Sequence, residues 1–235
     1  MSQVHVLNQM TLGIPSANKY SAWLRKHLSM VKEMAEYSED VEPITGKMYG
    51  PASAWAGVFE GITQHGPGVY SFPYLNPAFC EALLLELGGL DYTVNEEEPV
   101  EAQIPEVVLQ ELCPVLYEVF RAFWFDAAIP LSKLLFGLVP DKLTTVQAAK
   151  YTLENTSRGH WHTDQDSDVT LVVALSNDHE GGGTEVYQGP FRDTIVVPQL
   201  PVGHAMFFNG KANQHYGLPV TQGERNLPVH WSETK

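Results

Sequence analysis

The sequence predicts an α+β fold built around a small antiparallel barrel or jelly roll. Helix-patterned segments fill the first half of the chain, and strand-like segments take over after Leu143. Those strand segments are short, rich in β-branched or aromatic residues, and bounded by turn residues. Polar residues with metal-ligand chemistry lie among them, which suits a barrel whose mouth holds a ligand.

Each element has its own signal. Ser21–Tyr37 carries Trp23, Leu24, Leu28, Met30, Val31 and Met34 at helical spacing, with Ser16 as a candidate N-cap. Pro43 to Gly68 is rich in Gly, Pro and small residues and reads as loop, with a short helix at Ala52–Phe59. A new unit starts at Tyr70. Asn76-Pro77 fits an N-cap with proline in the first turn, and the apolar run Ala78–Leu87 stops at Gly88-Gly89. Pro105–Phe125 reads as a second strong helix, with Val108, Leu109, Leu112, Leu116, Val119 and Phe120 on its apolar face. Leu131–Leu138 makes a third helical piece before Pro140. The expected strands are Gln147–Leu153, Val169–Ser176, Thr184–Tyr187, Thr194–Pro198, His204–Asn209 and Leu227–Ser232. The chain therefore divides into a helical accessory segment, 1–66, and a main domain, 67–235.

Bulk properties narrow the function classes. A chain of 235 residues can bury one full domain core. The net charge of −14 and the pI of about 4.9 make a nucleic-acid partner unattractive and are compatible with a cationic substrate. No apolar run approaches the roughly 18 residues of a membrane span, so no membrane partner is expected. The longest runs are broken by Glu118, Arg121, Asp126, Pro130 and Lys133. The opening Met-Ser-Gln-Val-His has no basic n-region, so the expectation is no signal peptide and a cytoplasmic location. Cys80 and Cys113 lie in helix-like apolar stretches and are expected to be free, buried thiols in a reducing compartment.

The chemistry concentrates in Arg158-Gly-His-Trp-His-Thr-Asp-Gln-Asp166. His160, His162 and Asp164 alternate, so an extended strand turns all three to one face. His162-x-Asp164 needs a remote third ligand, and His215 is the candidate. Two imidazoles and one carboxylate on one face of a metal leave open positions, as in non-haem Fe(II) oxygenases. Arg225 lies ten residues beyond His215 and offers a permanently charged fork for a carboxylate. A surface ion pair with Glu224 or Asp193 is its plainer alternative. His160-x-His162-x-Asp164 is also similar to the zinc-hydrolase pattern His-x-His-x-Asp-His, but Gln165 stands where that pattern needs a histidine. His160 is therefore expected in the pocket wall beside the ligands, and His204 as a core or edge residue with Met206 and Phe208. His179, His230, His65 and His5 have no constellation around them and carry no expected role.

From about Tyr70 to Ser232 the chain resembles the Fe(II)/2-oxoglutarate-dependent dioxygenases of the prolyl and lysyl hydroxylase branch, and most of all the catalytic domain of procollagen lysyl hydroxylases. The residues that carry this are Phe72-Pro-Tyr-Leu-Asn-Pro-Ala-Phe-Cys80, Ala149-Lys-Tyr-Thr152, His162-Thr-Asp164, Thr170–Asn177, Glu180-Gly-Gly-Gly183 and His215–Arg225. The resemblance implies a double-stranded β-helix (jelly-roll) core with helices on one side. It implies Fe(II) on His162, Asp164 and His215, with 2-oxoglutarate on the iron and its distal carboxylate on Arg225. Tyr151 falls where the family places a tyrosine lining the cosubstrate pocket. O₂ is the second cosubstrate, with ascorbate as an optional addition. The implied reaction is oxidative decarboxylation of 2-oxoglutarate to succinate and CO₂, coupled to hydroxylation of an aliphatic C–H in a lysyl or prolyl side chain of a protein or peptide. Other functions stay open: an oxygenase of a free amino acid or small metabolite, a non-catalytic jelly-roll binding module, or a zinc hydrolase. The departures are Trp161 between the histidines, His230 where a small polar residue is expected, and Pro228, which suggests an edge strand or a bulge.

Overall fold

The computed structural model describes residues 14–37, 52–100, 103–155 and 160–235. Arg158 and Gly159, at the head of the metal motif, and residues 43–51 of the Pro43–Gly68 loop lie outside the described residues. The helices are α1 (Ser16–Lys19), α2 (Ala22–Tyr37), α3 (Ala52–Glu60), α4 (Pro77–Leu87), α5 (Leu109–Leu112), α6 (Pro114–Phe123) and α7 (Ile129–Phe136). The strands are β1 (Thr63–Gly66), β2 (Val69–Pro73), β3 (Glu106–Val108), β4 (Lys142–Thr152), β5 (Val169–Val173), β6 (Glu180–Gly181), β7 (Thr184–Val186), β8 (Ile195–Val197), β9 (His204–Phe208), β10 (His215–Gly217), β11 (Val220–Gln222) and β12 (Glu224–Glu233).

The strands form a seven-stranded antiparallel sheet in the order β1-β2-β9-β5-β12-β4-β3, a three-stranded sheet β10-β7-β8, and the pair β11-β6. The smaller sheet covers one face of the larger, the double-stranded β-helix arrangement. Val186 and Val197 of the small sheet meet Val69, Met206 and Phe208 of the large one. Alternation sends the other side chains of the same strands to the helix side. There Leu171, Val173, Ala205 and Phe207 pack against Leu24 and Met34 of α2, Phe79 and Leu83 of α4, and Leu116 and Phe120 of α6. This is the larger of the two cores.

Several local expectations change. Ser16 opens the short α1, whereas Ser21 caps the long helix, its Oγ accepting from Leu24 N at 3.0 Å. Asn76 caps α4 as expected, accepting from Ala78 N. Pro105–Phe125 is not one helix. Glu106–Val108 pairs with Ala149–Gln147 as an edge strand, and Pro114, which cannot extend a helix from before it, opens α6. The helix then runs through a π turn at Trp124–Ala128 into α7. Asp126 on that turn accepts from Tyr20 Oη at 2.8 Å and pairs with Lys32, tying the N-terminal helices to it. Strand β1 occupies the end of the expected loop and forms a hairpin with β2 that straddles residues 66 and 67. Pro228 lies neither on an edge strand nor at a bulge. β12 is interior, and its ladder with β5 begins only at Val229, so the side where Pro228 lacks a donor is where β5 has ended.

Candidate active site

The two histidines are placed by a two-residue bridge. His162 N donates to His215 O at 3.0 Å, and His215 N donates to His162 O at 2.8 Å. This links an otherwise irregular segment to β10 and sets the imidazoles side by side, with centroids 4.4 Å apart. His162 Nδ1 lies 2.7 Å from His160 O, and His215 Nδ1 lies 2.9 Å from Asn213 O. A ring nitrogen against a carbonyl must carry the proton, so each Nε2 is left with a free lone pair. Burial is the largest influence on His215 and lowers its pKa, which favours the neutral ring a metal requires.

Asp164 completes the group. Its Oδ1 lies 3.6 Å from His162 Nε2 and 4.0 Å from His215 Nε2. Its Oδ2 accepts from Thr170 Oγ1 at 2.6 Å, which leaves Oδ1 for the histidine side. Asp164 N donates to Gly210 O at 3.1 Å. A Cβ at Gly210 would stand 2.9 Å from Asp164 Cβ and 2.6 Å from Thr170 Oγ1, so this approach requires glycine. The ligand atoms of His162, Asp164 and His215 lie within 4.8 Å of one another and could hold a metal ion. His160 stacks on His162 at 4.8 Å and lines the cavity, outside that group.

A cavity of about 610 Å³ opens over these residues. Its floor is the barrel-side face of the large sheet: Thr170 and Val172 of β5, Arg225, Leu227, Val229 and Trp231 of β12, and Gln147, Ala149 and Tyr151 of β4. Arg225 sits opposite Tyr151 in the register, with its guanidinium 5.5 Å from the ring centroid. It is only 7% exposed, and among the described residues no carboxylate pairs with it. Burial opposes its charge and lowers its pKa, yet a guanidinium stays protonated in proteins. The surface ion-pair alternative therefore does not form. At another side of the cavity stand Glu98 and Glu106. Glu106 accepts from Gln147 Nε2, and its carboxyl is pushed up to about 7, first by burial and then by the charge of Glu98.

Trp161 packs outward against Tyr216 at 4.6 Å and is 42% exposed. His230 faces the helix side, between Phe120 and Trp124, away from the cavity. Cys80 and Cys113 are buried free thiols. The sequence reading missed Thr170, although one hydroxyl in the apolar run Val169–Val173 was a signal. Glu106 escapes a reading of the sequence because helical spacing over Pro105–Phe125 hides the edge strand that brings it beside Gln147.

No protein-family model matches this chain. A curated relative, the multifunctional procollagen lysine hydroxylase and glycosyltransferase of Caenorhabditis elegans, is 27% identical over 181 residues, covering 72% of this chain and 24% of the relative. The chain thus spans about a quarter of that relative's length. A prolyl hydroxylase from Trichoplax adhaerens, solved with a peptide fragment of the hypoxia inducible factor oxygen degradation domain, superposes with a TM-score of 0.56 at 11% identity, covering 91% of this chain and 93% of that one. The alpha-ketoglutarate-dependent carbocyclase SnoK from nogalamycin biosynthesis gives a TM-score of 0.52 at 15% identity, covering 71% and 80%. The structural matches show the fold, that of the non-haem iron, 2-oxoglutarate-dependent oxygenases. Together with the sequence similarity they support the prolyl and lysyl hydroxylase branch as the group this chain resembles.

Proposed function

We propose that this protein is an Fe(II)- and 2-oxoglutarate-dependent dioxygenase that hydroxylates an aliphatic C–H of a lysyl side chain in a protein or peptide. One observation carries the reading. A buried guanidinium without a counter-ion among the described residues shares its cavity with two histidines and a carboxylate grouped to hold a metal. Leaving a charge buried and unpaired is costly, so the site calls for an anion. A 2-oxo dicarboxylate fits both ends, with its oxo acid on the metal and its distal carboxylate on Arg225.

In this reading His162 and His215 would give Nε2 to the ion and Asp164 one oxygen, while Thr170 holds the other oxygen of Asp164. Tyr151 and Arg225 line the cosubstrate end of the cavity. Bound iron supplies the redox chemistry, in which 2-oxoglutarate and O₂ become succinate and CO₂ and the remaining oxygen atom enters the substrate C–H. Neutral imidazoles and an ionised carboxylate are needed, so metal binding weakens in acid. Glu98 and Glu106 support a cationic substrate over a neutral one, hence lysyl over prolyl. A partly desolvated carboxylate whose pKa is raised gains most from an ammonium partner.

The test loads the protein with Fe(II) and offers 2-oxoglutarate with lysyl peptides, prolyl peptides and free lysine. The expected result is succinate together with lysyl peptides heavier by one oxygen. His162→Ala should lose both products and its metal while keeping its circular dichroism spectrum. Products from free lysine alone would favour the small-metabolite oxygenase instead. Unchanged metal binding in His162→Ala would remove the proposed centre.

A further inference from the structure

The guanidinium of Arg225 has a back wall that the proposed function leaves unexplained. His179 lies on the turn before β6, and Gln199 follows β8. Both converge with Arg225 on Gly182. A Cβ placed there would stand 3.2 Å from Gln199 Oε1, 3.3 Å from His179 Nε2 and 3.3 Å from Arg225 Cδ. Gly182 has φ +79°, so its missing side chain and its backbone conformation together make room for this meeting. Gly217 lies at the other end of the guanidinium, where a Cβ would be 3.6 Å from Arg225 Nη1 and 3.6 Å from the Tyr151 ring. Arg225 Cδ thus stands at the wall of His179 and Gln199, and Nη1 lies on the Gly217 and Tyr151 side.

The chemistry of that wall is specific. Gln199 Nε2 is held by the carbonyls of Leu200 at 3.1 Å and Ser176 at 3.4 Å, which turns Oε1 toward the cluster. Gln199 Oε1, both ring nitrogens of His179 and Arg225 Nε are buried without a hydrogen bond of good geometry. Burial, the largest influence on His179, lowers its pKa; its neighbour Gln199 raises it, the Arg225 charge lowers it and Asp178 raises it, with a net shift downward. A neutral imidazole always offers one acceptor nitrogen, and the carboxamide offers another. The wall therefore sets two neutral acceptor groups, an imidazole and a carboxamide, beside the Cδ–Nε end of Arg225, and neither is a carboxylate. A carboxylate there would neutralise Arg225 and compete with any incoming anion.

We infer that His179 and Gln199 are positioning residues for Arg225. They orient the guanidinium through neutral acceptors so that its whole charge remains for a distal carboxylate of the cosubstrate. This rests on the proposed function.

The test measures binding without turnover, by anaerobic calorimetry on the Mn(II)-loaded protein. The probes are 2-oxoglutarate and 2-oxopentanoate, which has nearly the same length but no distal carboxylate. The readout is the ratio of the two affinities, which a general loosening of the barrel or the metal site would not shift. Gln199→Glu keeps the shape and adds a counter-ion. It should lower that ratio about tenfold or more, the scale of one charge-assisted contact. His179→Leu should lower it as well, whereas His179→Gln, which keeps an acceptor, should largely restore it. Arg225→Met sets the reference by removing the preference for the dicarboxylate. If Arg225→Met removes the preference and Gln199→Glu and His179→Leu both retain it, the positioning role is overturned and the proposed function stands. If Arg225→Met itself retains the preference, the proposed function fails first.

Discussion

On the helix side of the large sheet, β12 presents Asn226, Pro228, His230 and Ser232; on the barrel side it presents Arg225, Leu227, Val229 and Trp231. The helix side is closed. His230 is 1% exposed, with its Nδ1 against Leu171 O at 3.2 Å and its ring beside Phe120 and Trp124. Ser232 Oγ donates to Val169 O at 2.6 Å. His230 Nε2 makes no hydrogen bond there, but a neutral group left so costs only about 1–3 kcal/mol. On the barrel side the group without a counter-ion is a guanidinium, which cannot shed its charge. A neutral orphan in a dense core is a packing compromise, whereas a charged orphan facing a cavity favours an anionic ligand.

The two faces should respond differently to truncation. Phe207 is fully buried on the helix side and touches Phe72, Trp124 and Phe136. Phe207→Ala should cost about 3–5 kcal/mol in urea unfolding. Val229→Ala, beside the cavity, should cost about 1 kcal/mol, because part of its surface already faces open space. Equal costs would mean that the barrel side is packed as densely as the helix side, and the contrast would collapse.

Acid should separate them too. Burial holds His230 down at about 4, below its ordinary 6.5. The unfolded chain therefore binds this proton first as pH falls, and stability drops between about 6.5 and 4. This one residue accounts for up to about 3 kcal/mol over that window, lost in acid and present at neutral pH. His230→Phe should flatten that part of the profile of unfolding free energy against pH. An unaltered slope would show that His230 does not titrate with folding.

Much of this contrast was legible in the sequence. The alternation of Val169–Val173 and His204–Phe208 shows two faces, and His162, Asp164, His215 and Arg225 carry their chemistry in residue type and spacing. What was hidden depends on pairing across long separations. Glu106 looks helical because the apolar spacing continues into α5 and α6, and only its register with Ala149 makes it a wall residue. His179 and Gln199 are twenty residues apart and meet Arg225 only once β6, β8 and β12 are in place. Ser16 and Ser21 both suit a helix cap, and Ser21 prevails because its Oγ also donates to Pro73 O at 2.8 Å, anchoring the cap to the sheet.

The finest distinction on the barrel side is between its two charged ends, Arg225, proposed for the cosubstrate, and Glu106 with Glu98, proposed for the substrate. Glu106 is half-buried and already accepts from Gln147, so its contribution is modest. Glu106→Gln should reduce the preference for a lysyl peptide over the same peptide with norleucine by about fivefold, near 1 kcal/mol for a partly screened pair. Its carboxyl stands near 7, so the wild-type preference should strengthen as pH rises from 6 to 8 and the deprotonated form takes over. The lysyl ammonium stays charged throughout that range. The variant should show no such rise. A preference that survives Glu106→Gln with its pH dependence intact would place the recognition of the cation elsewhere on the wall, with Glu98 the first residue to change next.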